Sequence, residues 1–216
     1  MSDPHTLYQT LWDAYGPQGW WPAEGPLEMM VGAVLVQNTA WIGASRAVVH
    51  LKQAAMLDAA RLRALPLETL EALIRPSGFF RLKARRLRAL MELVGACDDD
   101  LSRLFDAPDT ELRERLLAVS GVGAETADSI LCYAASRPWF VVDTYTRRLF
   151  FRLGWTEENA AYAVLQDRVH REFPRRADLL GEFHALIVRH AKEHCRKNPH
   201  CPGCPVTWCR GGSLQE

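Results

Sequence analysis

Along most of the chain apolar residues return every third or fourth position, the period of a helix with one buried face. Strict alternation and runs of Val, Ile and Thr are missing, so no strand is expected. Residues 27–37, LEMMVGAVLVQ, are apolar nearly all round, as a central buried helix should be. Amphipathic helices are expected over 62–74, 82–94 and 112–119, separated by the breakers Arg75-Pro76-Ser77-Gly78 and Ala107-Pro108-Asp109. Others are expected over 126–135, 144–153, 159–171 and 179–195, with 139–142 as a short extended apolar link. About ten helices and no sheet make the class all-α. No repeat of solenoid length is visible.

Composition narrows this little. The 216 residues are 48% hydrophobic, enough for a core of ordinary size in one domain or two small lobes. That excludes a collagenous, low-complexity or disordered chain. No cationic segment followed by an apolar run opens the sequence, and Met29–Val36 is too short to span a bilayer. Four of the six cysteines crowd into the last 22 residues, unlike a secreted disulfide framework. The expectation is an intracellular, cytoplasmic protein with no membrane partner and a metal-bound C-terminal loop.

Charge changes the picture more. Lys and Arg number 26 against 26 Asp and Glu, a net charge of zero that argues at first against a polyanionic partner. The zero is only a sum. Residues 1–30 carry four acids and no Lys or Arg, and 147–216 carry twelve bases against eight acids. Six bases and no acid lie between Arg75 and Arg88, around Ser77-Gly78-Phe79-Phe80. A charge run is usually a solvated face, but an exposed aromatic beside cations is also what a nucleic-acid wedge requires.

Three motifs carry candidate chemistry. Ser120-Gly121-Val122-Gly123 lies between two amphipathic helices; its glycines permit a sharp turn and leave N–H groups uncovered for a phosphate oxygen. With Leu116, Val119 and Thr126-Ala127 around it, this matches the helix-hairpin-helix element of DNA-binding proteins. Asp143, in Val141-Val142-Asp143-Thr144, reads as an N-cap. Its carboxylate is also suited to stabilising an oxocarbenium-like sugar or orienting a water, the tasks of glycosidic cleavage. Cys195-x5-Cys201-x2-Cys204-x4-Cys209 offers four thiolates, suited to tetrahedral zinc or to a [4Fe–4S] cluster. Cys97 and Cys132 read as ordinary semi-buried thiols.

In this order the motifs resemble the endonuclease III superfamily of helix-hairpin-helix DNA glycosylases, over nearly the whole chain. The resemblance implies two helical lobes with a DNA-binding cleft between them: a six-helix lobe over 27–138, and a second lobe from 1–26 plus 139–216 carrying an iron–sulfur loop. It implies base-excision repair by a monomer on double-stranded DNA containing a damaged base, in the cytoplasm with the nucleoid. Asp143 would be the catalytic aspartate, Phe79 the wedge, and Gln37, with Asn38 and Thr39, the loop that fills the gap left by a flipped base. Gly121, Val122, Gly123 and Ala124 would hold the DNA backbone. A [4Fe–4S] cluster on Cys195, Cys201, Cys204 and Cys209 is favoured over zinc, although the family's usual six, two and five intervening residues are here five, two and four.

Bifunctional members carry a lysine at the position of Glu125, and a glutamate cannot form their Schiff base. A monofunctional glycosylase is therefore implied, with Glu125 facing the pocket. Trp20-Trp21-Pro22 and Gln37-Asn38-Thr39-Ala40-Trp41 resemble the endonuclease III-like 3-methyladenine glycosylases, whose stacked aromatics hold the flipped base. Trp20, Trp21, Pro22, Trp41 and, by the same resemblance, Lys192 would form that pocket. A cationic alkylated purine suits aromatic faces and is already a good leaving group. The alternatives are a glycosylase for oxidised pyrimidines with weak lyase activity, a lesion-binding protein without catalysis, and a zinc-stabilised DNA-binding module.

Overall fold

The computed structural model describes residues 3–209, and every regular element among them is helical. They are α1 (Pro4–Tyr15), α2 (Pro26–Leu35), α3 (Trp41–Gln53), α4 (Ala59–Ala64), α5 (Leu67–Leu73), α6 (Phe80–Gly95) and α7 (Leu101–Phe105). Then follow α8 (Asp109–Leu117), α9 (Ala124–Ser129), α10 (Thr144–Arg152), α11 (Tyr162–Glu172) and α12 (Ala177–Glu193). None is long and apolar enough to cross a membrane. The end of the basic C-terminal segment, residues 210–216, lies outside the described residues.

Aspartates start many of these helices. The carboxylates of Asp3, Asp58, Asp100 and Asp143 accept from the backbone N–H of Thr6, Arg61, Ser102 and Thr146, satisfying donors the helix itself cannot pair. The helix expected over 62–74 is two helices. Pro66 has no N–H, and Leu65 before it is driven to an extended backbone, ψ 136°, so α4 stops and α5 begins afresh.

The chain divides into two compact units. In the unit of residues 21–137, Met29–Leu35 of α2 are all buried, against α3, α6, and α9 with the π-turn that continues it over 130–134. The buried face of α6 runs through Lys83, Ala84, Leu87, Leu90, Met91 and Val94, and receives α4 and α5. At Gly43 the start of α3 meets the turn 75–77 so closely that a Cβ would come within 2.6 Å of the Pro76 carbonyl oxygen.

In the unit of residues 3–20 and 138–209, α1 and α10 pack on α12. Tyr8, Phe140 and Phe173 surround the Phe183 ring at centroid distances of 5.9, 5.6 and 5.0 Å. The link 139–142 is extended but pairs with no strand. Its backbone is satisfied by side chains instead: Gln166 donates to the Phe140 carbonyl at 2.6 Å, the Phe140 N–H donates to His170, and the Val142 N–H to the Tyr162 hydroxyl. That anchoring fixes where Asp143 begins α10.

Candidate functional site

In the unit of residues 21–137, three neighbouring features present the predicted DNA-contacting residues. The first is the turn between α8 and α9. Gly121 has φ +85°, a backbone that favours glycine, and a Cβ there would lie 2.4 Å from the Arg86 side chain. Val122 is buried and anchors the turn, Gly121 and Gly123 are exposed, and Ala124 is half-buried. No side chain caps α9 at Gly123. Beneath the turn Arg113 on α8 donates to both carboxylate oxygens of Asp128 on α9, at 2.7 and 3.3 Å, a bidentate clamp on the angle between the helices. Glu125 is exposed in the first turn of α9.

The second feature is the loop from α2 to α3. The Gln37 carboxamide is folded onto the hairpin: it donates to the Gly121 carbonyl and the Thr126 hydroxyl at 3.1 and 2.9 Å, and accepts from Arg86 at 2.6 Å. Asn38 is exposed and left-handed, φ +52°, which asparagine tolerates better than most residues. Thr39 is half-buried.

The third is the turn before α6. Phe79 caps the helix in a left-handed conformation, φ +45° and ψ +28°, with 67% of its surface exposed. A bulky residue there costs about 1–3 kcal/mol. The turn therefore holds an apolar ring outward in a strained conformation. The basic run around it splits by face. Arg81 and Arg85 are exposed, whereas Lys83, grouped with them in sequence, is 1% exposed and lies on the buried face of α6.

Of the aromatic residues of the predicted base pocket, Trp21 and Trp41 belong to the unit of residues 21–137. Trp21, Pro22 and Trp41 line one cavity of about 110 Å³ with Glu28 and Lys52. The Trp21 and Trp41 rings meet edge to face at 5.3 Å and 86°, and Trp21 also meets Tyr133 at 5.7 Å. This is a bent aromatic wall, not a parallel slot. Trp20 and Lys192 belong to the other unit, Trp20 half-buried and Lys192 exposed.

Asp143, in that other unit, is 8% exposed. One carboxylate oxygen accepts from the Thr146 N–H at 2.7 Å, and the other lies 3.4 Å from His184 Nε2. Burial pushes the carboxyl up, but His184 and the Thr146 N–H outweigh it and hold the group below the usual aspartate range. The result is an ionised carboxylate fixed in a nearly dry setting. His184 is a partner that sequence reasoning missed; a histidine within the apolar pattern of α12 gives no signal beyond burial.

The four C-terminal cysteines line one cavity of about 240 Å³ with His190 and Arg152. Arg152 donates to Cys195 Sγ at 3.2 Å and to the carbonyls of Arg196 and Lys197, while Arg148 donates to the Cys195 carbonyl at 2.7 Å. Burial pushes the Cys204 thiol up, and the neighbouring cysteines add to it. Among the described residues no three His, Cys, Asp or Glu side chains converge on one ion-sized point. Cys132 lies apart, its thiol pushed up to about 12 by burial, an inert core group.

Comparison with known proteins places the whole chain. Residues 31–175 match the HhH-GPD superfamily, described as base excision DNA repair proteins. A Methanocaldococcus jannaschii protein assigned as a DNA repair glycosylase is 41% identical over 204 residues, 94% of this chain and 93% of that one. The H. pylori 3-methyladenine DNA glycosylase bound to 1,N6-ethenoadenine superposes with a TM-score of 0.78 at 27% identity, covering 89% of this chain and 98% of its own. A trapped endonuclease III–DNA covalent intermediate superposes with a TM-score of 0.83 at 23% identity, over 100% and 99% of the two chains, and shares the fold.

Proposed function

The chain belongs to the HhH-GPD superfamily of base excision DNA repair proteins, and we propose that it is a monofunctional DNA N-glycosylase releasing alkylated purines of the 3-methyladenine type. The observation that carries this reading is a glutamate, not a lysine, at position 125 of a chain whose buried Asp143 is held below the usual carboxylate range. Without an amine in the first turn of α9, the sugar C1′ meets no enzyme nucleophile there. Water must then complete the reaction. The C1′–N9 bond breaks with its electron pair leaving on the base, whose alkyl-derived positive charge it neutralises. The Asp143 carboxylate stabilises the positive sugar and accepts a proton as the water oxygen bonds to C1′.

The bent wall of Trp21 and Trp41 supports the substrate class, because aromatic faces attract a cationic purine. The named ligand of the H. pylori relative, 1,N6-ethenoadenine, is likewise an adenine carrying carbon substituents on its nitrogens, although a neutral one. Phe79 and the loop 37–39 are the residues that enter the duplex, and the Gly121–Ala124 turn grips its backbone. Gln37 must exchange its contacts on the hairpin for this, whereas Asn38 already faces outward.

Four thiols lining one cavity suit an iron–sulfur cluster or, drawn to about 2.0–2.3 Å from one point, a zinc ion, and the endonuclease III resemblance favours the cluster. Cys195, Cys201, Cys204 and Cys209 would hold it, and when bound it supplies a rigid cross-link for the loop carrying Arg196 and Lys197. Arg152 and Arg148 tie that loop to α10, the helix that Asp143 begins.

The deciding experiment is base release from duplexes carrying alkylated, oxidised, deaminated or mismatched bases, with and without alkali, alongside borohydride trapping on an abasic duplex. Release from alkylated purines alone, strand breaks only after alkali, and no trapped adduct are expected. Release of oxidised pyrimidines with a trapped adduct overturns the reading.

A further inference from the structure

The basic run of α6 hides two cations that reach inward. Lys83 is almost fully buried, yet no carboxylate pairs with it among the described residues. Its Nζ donates to the Leu35 carbonyl at 2.7 Å and to the Ser77 carbonyl at 2.6 Å. Its own N–H donates to the Phe79 carbonyl at 3.0 Å. Lys83 thus brackets the strained turn from both ends and ties it to the last residue of α2, two positions before Gln37. Arg86, one turn further along α6, holds Gln37 and lies across Gly121. One helix joins the wedge turn, the loop 37–39 and the hairpin.

The chemistry asks for a reason. A lone buried ammonium is costly, and an apolar side chain at this point of the stripe would pack without that cost. Burial pulls the amine down to about 8, with Arg86 adding repulsion. What an apolar residue cannot do is satisfy two carbonyls from two separate segments. A neutral amine keeps two N–H donors, so both bonds survive loss of the proton.

We propose that Lys83 is a positioning residue that locks the Phe79 turn to the end of α2, so that Phe79 and the loop 37–39 enter a damaged duplex as one rigid unit. This rests on the reading that Phe79 intrudes into DNA. Lys83 touches no substrate; it acts through the turn. Its loss leaves the ring present but unguided, and the strained left-handed turn relaxes.

The test is a double-mutant cycle read by fluorescence, which requires no knowledge of the damaged base. The probe is a duplex with a tetrahydrofuran abasic analogue and 2-aminopurine opposite it; intrusion unstacks the aminopurine and raises its emission. Wild type, Lys83→Met, Phe79→Ala and the double variant are compared at saturating protein, with helicity and undamaged-duplex affinity measured alongside. Lys83→Met is expected to lower the emission change about tenfold with undamaged-duplex affinity held, and the double variant to match Phe79→Ala within about twofold. Full emission from Lys83→Met, or losses that multiply in the double variant, overturn the assignment. Should Lys83→Met not fold, Lys83→Gln, whose amide nitrogen stops one bond short of the Lys83 Nζ and so does not reach both carbonyls, enters the same cycle under the same criteria. A wild-type protein that leaves the emission unchanged instead removes the intruding turn itself, an outcome distinct from failure of Lys83 alone.

Discussion

Each unit buries a charge beside its candidate functional residues, Lys83 in one and Asp143 in the other, and the two are handled in opposite ways. Lys83 donates to two carbonyls with no carboxylate paired to it among the described residues, and burial pulls its amine down to about 8. Asp143 is buried to a similar degree, yet the Thr146 N–H and His184 keep its charged form favoured. Both are held by hydrogen bonds, but only at Asp143 do the partners outweigh burial and keep the charged form favoured. The difference separates bracing from chemistry: a brace needs donors in fixed places, while a glycosylase carboxylate must already be an anion when positive charge develops on the sugar.

Asp143→Asn breaks the comparison most severely. Asparagine caps a helix about as well as aspartate, so α10 should remain, with the melting temperature lowered only by loss of the anion's own contribution. Base release should fall by about 10²–10⁴-fold in single-turnover assays, because the charge is gone while the shape is kept. An unchanged rate would place the chemistry on another residue.

Replacing His184 sharpens the same side. His184→Phe fills a similar volume but removes the group that lowers the Asp143 carboxyl, so burial then dominates and the pKa rises. The acid limb of the pH–rate profile should move upward, and each unit of that move corresponds to about 1.4 kcal/mol of lost anion stabilisation. A profile that stays in place would make His184 a packing residue only.

Much of this was legible in the sequence, and what was not has a common cause. Helical periodicity marked the buried α2, and Pro76, Gly78 and Pro108 marked the breaks around α6 and before α8. Asp143 read as an N-cap and is one. Pro66 was overlooked because Leu62, Leu70 and Ile74 keep their period across it. Lys83 stands four residues before Leu87 and so lies on the apolar stripe, but its charge outweighed its position among five arginines. His184 and the fold of Gln37 onto Gly121 depend on partners 41 and 84 residues away, and local pattern carries no information about such pairs.

The pH dependence of stability separates the two charges without any substrate. Asp143 has a folded pKa below the ordinary 3.8, so its contribution is fully present above that value and is lost as pH falls through the lower folded one. Lys83 has the same sign in a higher window, because its folded pKa is depressed too, although here the form that folding disfavours is the charged one. Between about 8 and 10.5 the unfolded chain still holds a proton that the folded chain has shed, so stability rises with pH across that window. Urea unfolding from pH 7 to 10 should show an upward contribution in wild type that Lys83→Gln removes. An identical slope in both proteins would mean that the buried amine keeps its proton.

The smallest expected effect lies at Phe79, where a gain in stability should accompany a loss of function. The residue is two-thirds exposed, so truncation forfeits little burial, while its left-handed backbone is one that glycine adopts without steric cost. Phe79→Gly should therefore leave stability unchanged or raise it by about 1 kcal/mol in urea unfolding, the relief of strain offset in part by the greater freedom of glycine in the unfolded chain. The same variant should lose the aminopurine signal on the abasic duplex. A clear loss of stability would show that the ring packs against the protein instead of projecting from it, and the strain at Phe79 would then need a structural explanation where Lys83 now has a functional one.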